Sequence, residues 1–179
     1  MKSIRDLQEL VWLQPHATQR VFELRAGEEV LGSLRWESSF GSLADARAEE
    51  VHWTFKRTGF FSPQITIRLS GSDANLAVFT PNWKGEGVLD FSGGKCFRWL
   101  GIGFWRSQWA FARSSGEHLL ELEPKTAFFK RTAVVKVTPD GRQTSELPLL
   151  VILGWYLMVL RSDDDASVAA STAVICSAT

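Results

Sequence analysis

The side chains able to do covalent or metal chemistry are few and scattered. His16, His52 and His118 lie far apart along the chain. A zinc site needs three or four converging ligands, and their spacing gives no sign of one. Two cysteines, Cys96 and Cys176, are too few for a disulfide scaffold or a cysteine-rich metal site. They read as reduced thiols, in keeping with a reducing, cytoplasmic compartment. Asp163-Asp164-Asp165 lacks the alternating ligands, the glycine and the distal glutamate of a calcium loop, and reads as solvated charge beside a helix exit. Gly101-Ile102-Gly103-Phe104-Trp105-Arg106 has two spaced glycines without the third of a dinucleotide fingerprint. It reads as a turn between strands. The chain carries no phosphate-cradling loop, zincin helix or nucleophile elbow. The expectation is therefore a non-enzymatic protein, with no cofactor and no metal.

One mixture of residues is suited to binding. Trp83, Trp99 and Trp105 stand beside Lys84, Arg98 and Arg106 in the loop-rich middle of the chain. Indole rings settle at headgroup depth in membranes, so these six residues are candidates for an anionic lipid headgroup or another small anion. The rim of an aromatic-filled barrel would show the same mixture, with long cationic stems lying over apolar surface. A protein partner is the second binding option, because aromatics and arginine favour the centres of interfaces. Twenty basic and twenty acidic residues give a net charge of zero. That excludes the broad basic footprint of a nucleic-acid binder and leaves a local cluster open.

The elements that must position these residues are mostly short strands. At 179 residues, 45% hydrophobic and 22% charged, the chain fits one globular domain, expected over residues 1–161. Residues 20–25 and 30–36 alternate apolar and polar side chains around a glycine-containing turn, the signature of a hairpin. The same pattern recurs at residues 51–57 with 64–69, and at 107–113 with 118–122. Trp53, Phe55, Trp109 and Phe111 then share inward faces, because strand side chains alternate with period two. Residues 7–13, 74–80, 87–91, 95–100 and 128–138 add further strands, the last closed by a Pro139-Asp140-Gly141 turn. The total is about ten to twelve.

Residues 147–160 break the pattern with a 14-residue apolar run. Thr144 or Ser145 can cap a helix start, Glu146 suits its positive end, and Pro148 is tolerated in the first turn. Arg161 suits the negative end. A helix apolar on every face must be enclosed, and this one is too short to span a bilayer. The first 25 residues hold no apolar signal region. The composition shift after Arg161 predicts a weakly ordered tail over residues 162–179, following a helix at about 145–161. A closed antiparallel sheet wrapped around that helix satisfies both the amphipathic strands and the apolar helix, and removes exposed strand edges.

The order of hairpins, late strand and terminal apolar helix resembles the Tubby C-terminal-like fold. This group includes Tubby proteins, phospholipid scramblases and LURP-one-related proteins. Arg25-Ala26-Gly27-Glu28-Glu29-Val30-Leu31-Gly32 and residues 149–160 carry the resemblance best. It implies a mainly β fold, a twelve-stranded closed barrel enclosing a hydrophobic C-terminal helix. It also implies a small binding module, cytoplasmic and peripheral to a membrane where it meets anionic lipid. Tubby proteins bind phosphoinositides through basic side chains, and scramblases act at membranes. No stretch here matches either ligand motif, so no site residue is carried over.

Overall fold

The computed structural model describes residues 3–127 and 130–177. Twelve antiparallel strands close into a barrel, each paired with its neighbours in chain order and β1 sealed against β12. They are β1 (Glu9–Leu13), β2 (Val21–Ala26), β3 (Glu29–Trp36), β4 (Ala44–Ala48), β5 (Val51–Thr58) and β6 (Gln64–Leu69). The ring continues with β7 (Asn75–Pro81), β8 (Gly87–Phe91), β9 (Cys96–Ile102), β10 (Gln108–Arg113), β11 (His118–Ala127) and β12 (Lys130–Val137). Phe128, where the last strand was expected to begin, lies outside the described residues. The Pro139-Asp140-Gly141 turn is a short helix, α1 (Pro139–Arg142). The Thr138 hydroxyl caps it by accepting from the Gly141 N–H at 3.0 Å.

The three expected hairpins are β2–β3, β5–β6 and β10–β11. Their inward positions are filled by Phe22, Leu24, Trp53, Phe55, Ile65, Ile67, Trp109 and Phe111, all buried. β4, Ala44-Asp45-Ala46-Arg47-Ala48, has no counterpart among the strands expected from sequence. Its alanines alternate inward, but their small side chains give a weak apolar signal. They are small because their neighbours are large: Ala44 pairs with Trp36 and Phe55, and Ala46 with Trp53. Close packing at near-crystalline density leaves no room there for more than a methyl group.

The helix α2 (Leu147–Ser177) threads the barrel. Leu149, Leu150, Val151, Ile152, Leu153, Trp155, Tyr156, Val159 and Leu160 are buried on all its faces. α2 approaches β3 and β4 on one side and β10 and β11 nearly opposite. Two glycines permit the close fit. A Cβ at Gly154 would sit 3.0 Å from Leu122 Cδ1 and 3.2 Å from the Trp99 ring. A Cβ at Gly32 would sit 3.0 Å from Ile152 Cδ1. The helix thus accepts the roughly 1 kcal/mol propensity cost of a mid-helix glycine so that Trp99 can lie against it. Trp155 stacks on Trp12, and Tyr156 on Trp36. The indole N–H groups of Trp12, Trp36 and Trp155 have no protein partner, so aromatic contact is favoured over polar satisfaction at this level of the core.

The start of α2 differs from expectation in detail. The Thr144 hydroxyl donates to the Asp140 carbonyl at 2.9 Å and accepts from Arg113, and Ser145 donates to the Glu146 carboxylate. Both side chains thus tie the helix entry to its surroundings. Glu146 is also held by Lys95 at 2.6 Å. The larger difference is at the other end. In place of a tail from Ser162, the helix runs on to Ser177. Nothing in residues 162–177 breaks a helix: there is no proline or glycine, and alanine recurs throughout.

Tyr156 provides a test of the filled core. Its hydroxyl donates to the Ser42 carbonyl at 2.5 Å, and burial pushes the phenol well above its ordinary value, outweighing the opposing pull of Arg57. A raised acid pKa stabilises the fold below the unfolded-state value near 10 and loses that contribution as pH rises toward the folded value. Tyr156 is the chain's one tyrosine. Tyrosinate absorbance in an alkaline titration is therefore expected to appear together with loss of near-UV circular dichroism. Tyr156→Phe should lower stability at neutral pH by about 1 kcal/mol and flatten the alkaline decline. Tyrosinate forming in a fully folded protein would place the ring in water.

Candidate functional site: an aromatic and cationic rim

In an antiparallel barrel paired in chain order, successive connections alternate between two ends. One end, here the rim, carries the connections at residues 14–20, 37–43, 59–63, 82–86 and 103–107. The far end carries residues 27–28, 49–50, 70–74, 92–95 and 114–117, with the entry to α2. Six aromatics project from the rim: Phe40, Phe60, Phe61, Trp83, Phe104 and Trp105, each between 82% and 103% exposed. Every other aromatic among the described residues is buried or half-buried. The partition is sharp, and the far-end loops hold no aromatic at all.

Charge divides the same way. Glu28, Glu49, Glu50, Asp73 and Glu117 lie on the far-end connections, against Lys95. The rim loops hold Arg20, Lys84 and Arg106 with Glu37 and Glu86, the adjoining strand ends add Arg57, Lys130 and Arg131, and α2 brings Arg161 with Asp163, Asp164 and Asp165 to the same end. Zero net charge therefore conceals an uneven molecule, with acidic far-end loops and an aromatic rim where cations outnumber the carboxylates that many of them pair with.

The rim loops are built to hold their shape. The Asn82 side chain accepts from the Lys84 and Glu86 N–H groups at 2.9 and 3.2 Å, an Asx turn that sets out Trp83. Lys84 Nζ lies 5.1 Å from the Trp83 ring centroid. Glu86 joins this loop to the next, accepting from the Gly101 N–H at 3.4 Å and facing Arg106 at 3.8 Å. There Phe104 and Trp105 meet edge to face, as do Phe60 and Phe61 in the β5–β6 loop. Trp105 and Arg106 both take the left-handed backbone region, with φ of 60° and 54°. That conformation is strained for residues with a side chain, and it holds the indole outward instead of over the barrel.

At the centre of the rim, α2 emerges through a ring of arginines. Asp163 pairs with Arg20 and, at 2.8 Å, with Arg131, while Asp164 pairs with Arg57 at 2.7 Å. Arg20 also donates to the Ser39 and Gly41 carbonyls at 3.1 Å, which ties the Phe40 loop to the helix. Burial lowers the Arg20 guanidinium from its ordinary value, Asp163 opposes that shift, and Arg131 adds to it. Arg161 donates to the Lys84 carbonyl at 2.9 Å and lies 4.7 Å over the Trp109 ring. The aspartate run, read from sequence as solvated charge, is thus a buckle between the helix, the connection that ends at Arg20, and strands β5 and β12. Beside it opens a cleft of about 630 Å³, lined by Arg20, Phe40, Arg57, Arg131 and Asp163.

The six residues singled out by sequence divide between rim and wall. Trp83, Lys84, Trp105 and Arg106 are on the rim, in two adjacent odd-numbered connections joined through Glu86. Trp99 is not: it is buried at 2% exposure and packs against Trp109 and Phe111. Its neighbour Arg98 is exposed on the outer wall, opposite Val88 and Ala112 and nearer the far end. Both belong to β9, where alternation sends Trp99 inward and Arg98 outward. Phe40, Phe60, Phe61 and Phe104 are not among the expected site residues, nor are Arg20, Arg57 and Arg131, the last two standing out only as members of basic pairs at strand ends. The available signal was the presence of bulky aromatics inside Ser- and Gly-containing turns, where polar residues are the rule. Among the described residues, no three of His, Cys, Asp or Glu converge as metal ligands. His118 bonds Glu121 on the barrel wall at 2.9 Å.

No family model, curated protein or solved structure matches this chain.

Proposed function

We propose that the protein is a non-enzymatic binding module that docks its aromatic rim on an anionic membrane surface. The observation that carries this reading is the gathering, among the described residues, of every fully exposed aromatic on one end of the barrel, interleaved with arginine and lysine. Exposed apolar patches of this kind mark interaction surfaces. Indole and phenyl rings on short, stiff loops can enter the headgroup region without unfolding anything. Each cation brought to an anionic surface contributes about 1 kcal/mol, and the acidic far end favours the orientation that turns it away. The barrel wrapped around a hydrophobic helix also supports placing the chain with the Tubby C-terminal-like barrels. Among the described residues no helix is long and apolar enough to cross a membrane, and the proposed attachment is peripheral.

Sedimentation with vesicles tests the reading. The protein is expected to pellet with vesicles rich in phosphatidylserine, less so as salt rises through the screening range, and weakly with phosphatidylcholine alone. No pelleting at low salt would overturn the proposal and leave a protein partner as the occupant of the rim.

A further inference from the structure

We infer that α2 continues out of the barrel into the lipid on which the rim docks, so that residues 166–177 enter one leaflet and hold the barrel axis upright. This rests on the membrane reading above and adds to it an orientation and a second membrane-contacting element.

Four observations lead there. First, α2 leaves through the end that bears the exposed aromatics. Arg20 and Arg131 grip Asp163 and Arg57 grips Asp164 from different elements around the mouth, a loop and two strands. The helix is thus centred in the rim, and a surface touching that rim meets the helix too. Second, no charged residue occurs from Ala166 to Ser177. The last charges, Asp163 to Asp165, lie level with the rim, where Arg20, Arg57, Arg131 and Arg161 face them. Third, the stretch is long enough to reach into a leaflet: twelve residues at 1.5 Å rise make about 18 Å, against a hydrocarbon depth of ~15 Å. Fourth, residues 165–170 are exposed. Short unsupported helices are marginal in water, and Ser167, Val168, Ser171, Thr172, Val174 and Ile175 are weaker helix formers than alanine. In hydrocarbon the balance reverses, because backbone groups there must pair within the segment and a helix does so.

The test uses the full chain with a single environment-sensitive fluorophore. One variant is Ala170→Cys with Cys96→Ser and Cys176→Ser; the other keeps Cys96, at the far end, with Cys176→Ser. Each is mixed with phosphatidylserine vesicles with and without a nitroxide on the lipid acyl chain. The label at position 170 is expected to shift to the blue and lose most of its fluorescence to the nitroxide. The label at Cys96 should do neither. Protein that pellets with vesicles while the 170 label stays in water overturns this inference and leaves the rim docking intact. Protein that does not pellet overturns both. A 170 label that is quenched equally after Trp83 and Trp105 are replaced would make the helix the anchor and remove the rim's role.

Discussion

Leu153→Asp will leave the protein without a cooperative unfolding transition, while Leu153→Ala will fold with a markedly lower urea midpoint. Leu153 is fully buried on α2, and the helix around it has no solvent-facing side: Leu150, Ile152, Tyr156 and Leu157 are buried as well. A new carboxylate there cannot turn toward water by rotating the helix, because rotation only exchanges one enclosed position for another. The pairing groups at the mouth, Arg20 and Arg57, are engaged ten or more residues further along, with Asp163 and Asp164. Charged, the carboxylate would carry a large desolvation cost; protonated, it still leaves an unpaired buried polar group in a site shaped for leucine, and the combined loss reaches the range of the roughly 5–15 kcal/mol that stabilises a whole domain. Leu→Ala removes only packing and transfer terms, about 2–5 kcal/mol, which a domain of this size can survive. Circular dichroism and urea titration of both variants distinguish the cases. A wild-type midpoint in Leu153→Asp would mean that this face of α2 meets water and that the barrel does not enclose it.

The barrel was legible in the sequence because two simple rules acted on strong signals. Alternation in Val51-His52-Trp53-Thr54-Phe55 and its two counterparts marks half-buried strands, and a helix apolar all round demands enclosure. Where the signal was carried by absence, the sequence was silent. β4 has only alanine inside, since Trp36, Trp53 and Phe55 occupy its share of the space. The continuation of α2 was missed for a related reason: polar composition after Arg161 suggested a tail, but Asp163 and Asp164 pair with arginines brought from the connection before β2, from β5 and from β12. Such long-range pairings leave no local trace. The site was half visible. Trp83-Lys84 and Trp105-Arg106 sit in loops and could be recognised as such, whereas Trp99, one residue past Arg98 on a strand, could have been removed by applying the alternation rule to β9 itself. What no local reading supplies is the two-ended sorting of loops. It requires the pairing order of all twelve strands, and only then do Phe40, Phe60 and Trp105 become neighbours in function.

Replacing Phe60 and Phe61 by Ser and Trp83 and Trp105 by Ala is expected to abolish measurable vesicle binding without unfolding the protein. These four side chains are at least 87% exposed, so their loss leaves the core as it was, and surface changes of this kind stay within about 0.5 kcal/mol each. Partial burial of each ring at an interface contributes on the order of 1 kcal/mol, or about fivefold in affinity, and four together reach several hundredfold. Trp99→Ala should do the reverse: a core truncation costing about 3–5 kcal/mol, with unchanged binding by whatever fraction remains folded. Trp105 separates the two demands within a single residue. Its φ of 60° costs roughly 1–2 kcal/mol for a side chain other than glycine. Trp105→Gly should therefore raise the urea midpoint while weakening vesicle binding. A fold free of function would have no reason to keep a strained, water-exposed tryptophan at this position. If Trp105→Gly gained stability and kept full affinity, the strain would lack a purpose at the rim, and membrane docking would have to rest on Phe60, Phe61 and Trp83 alone.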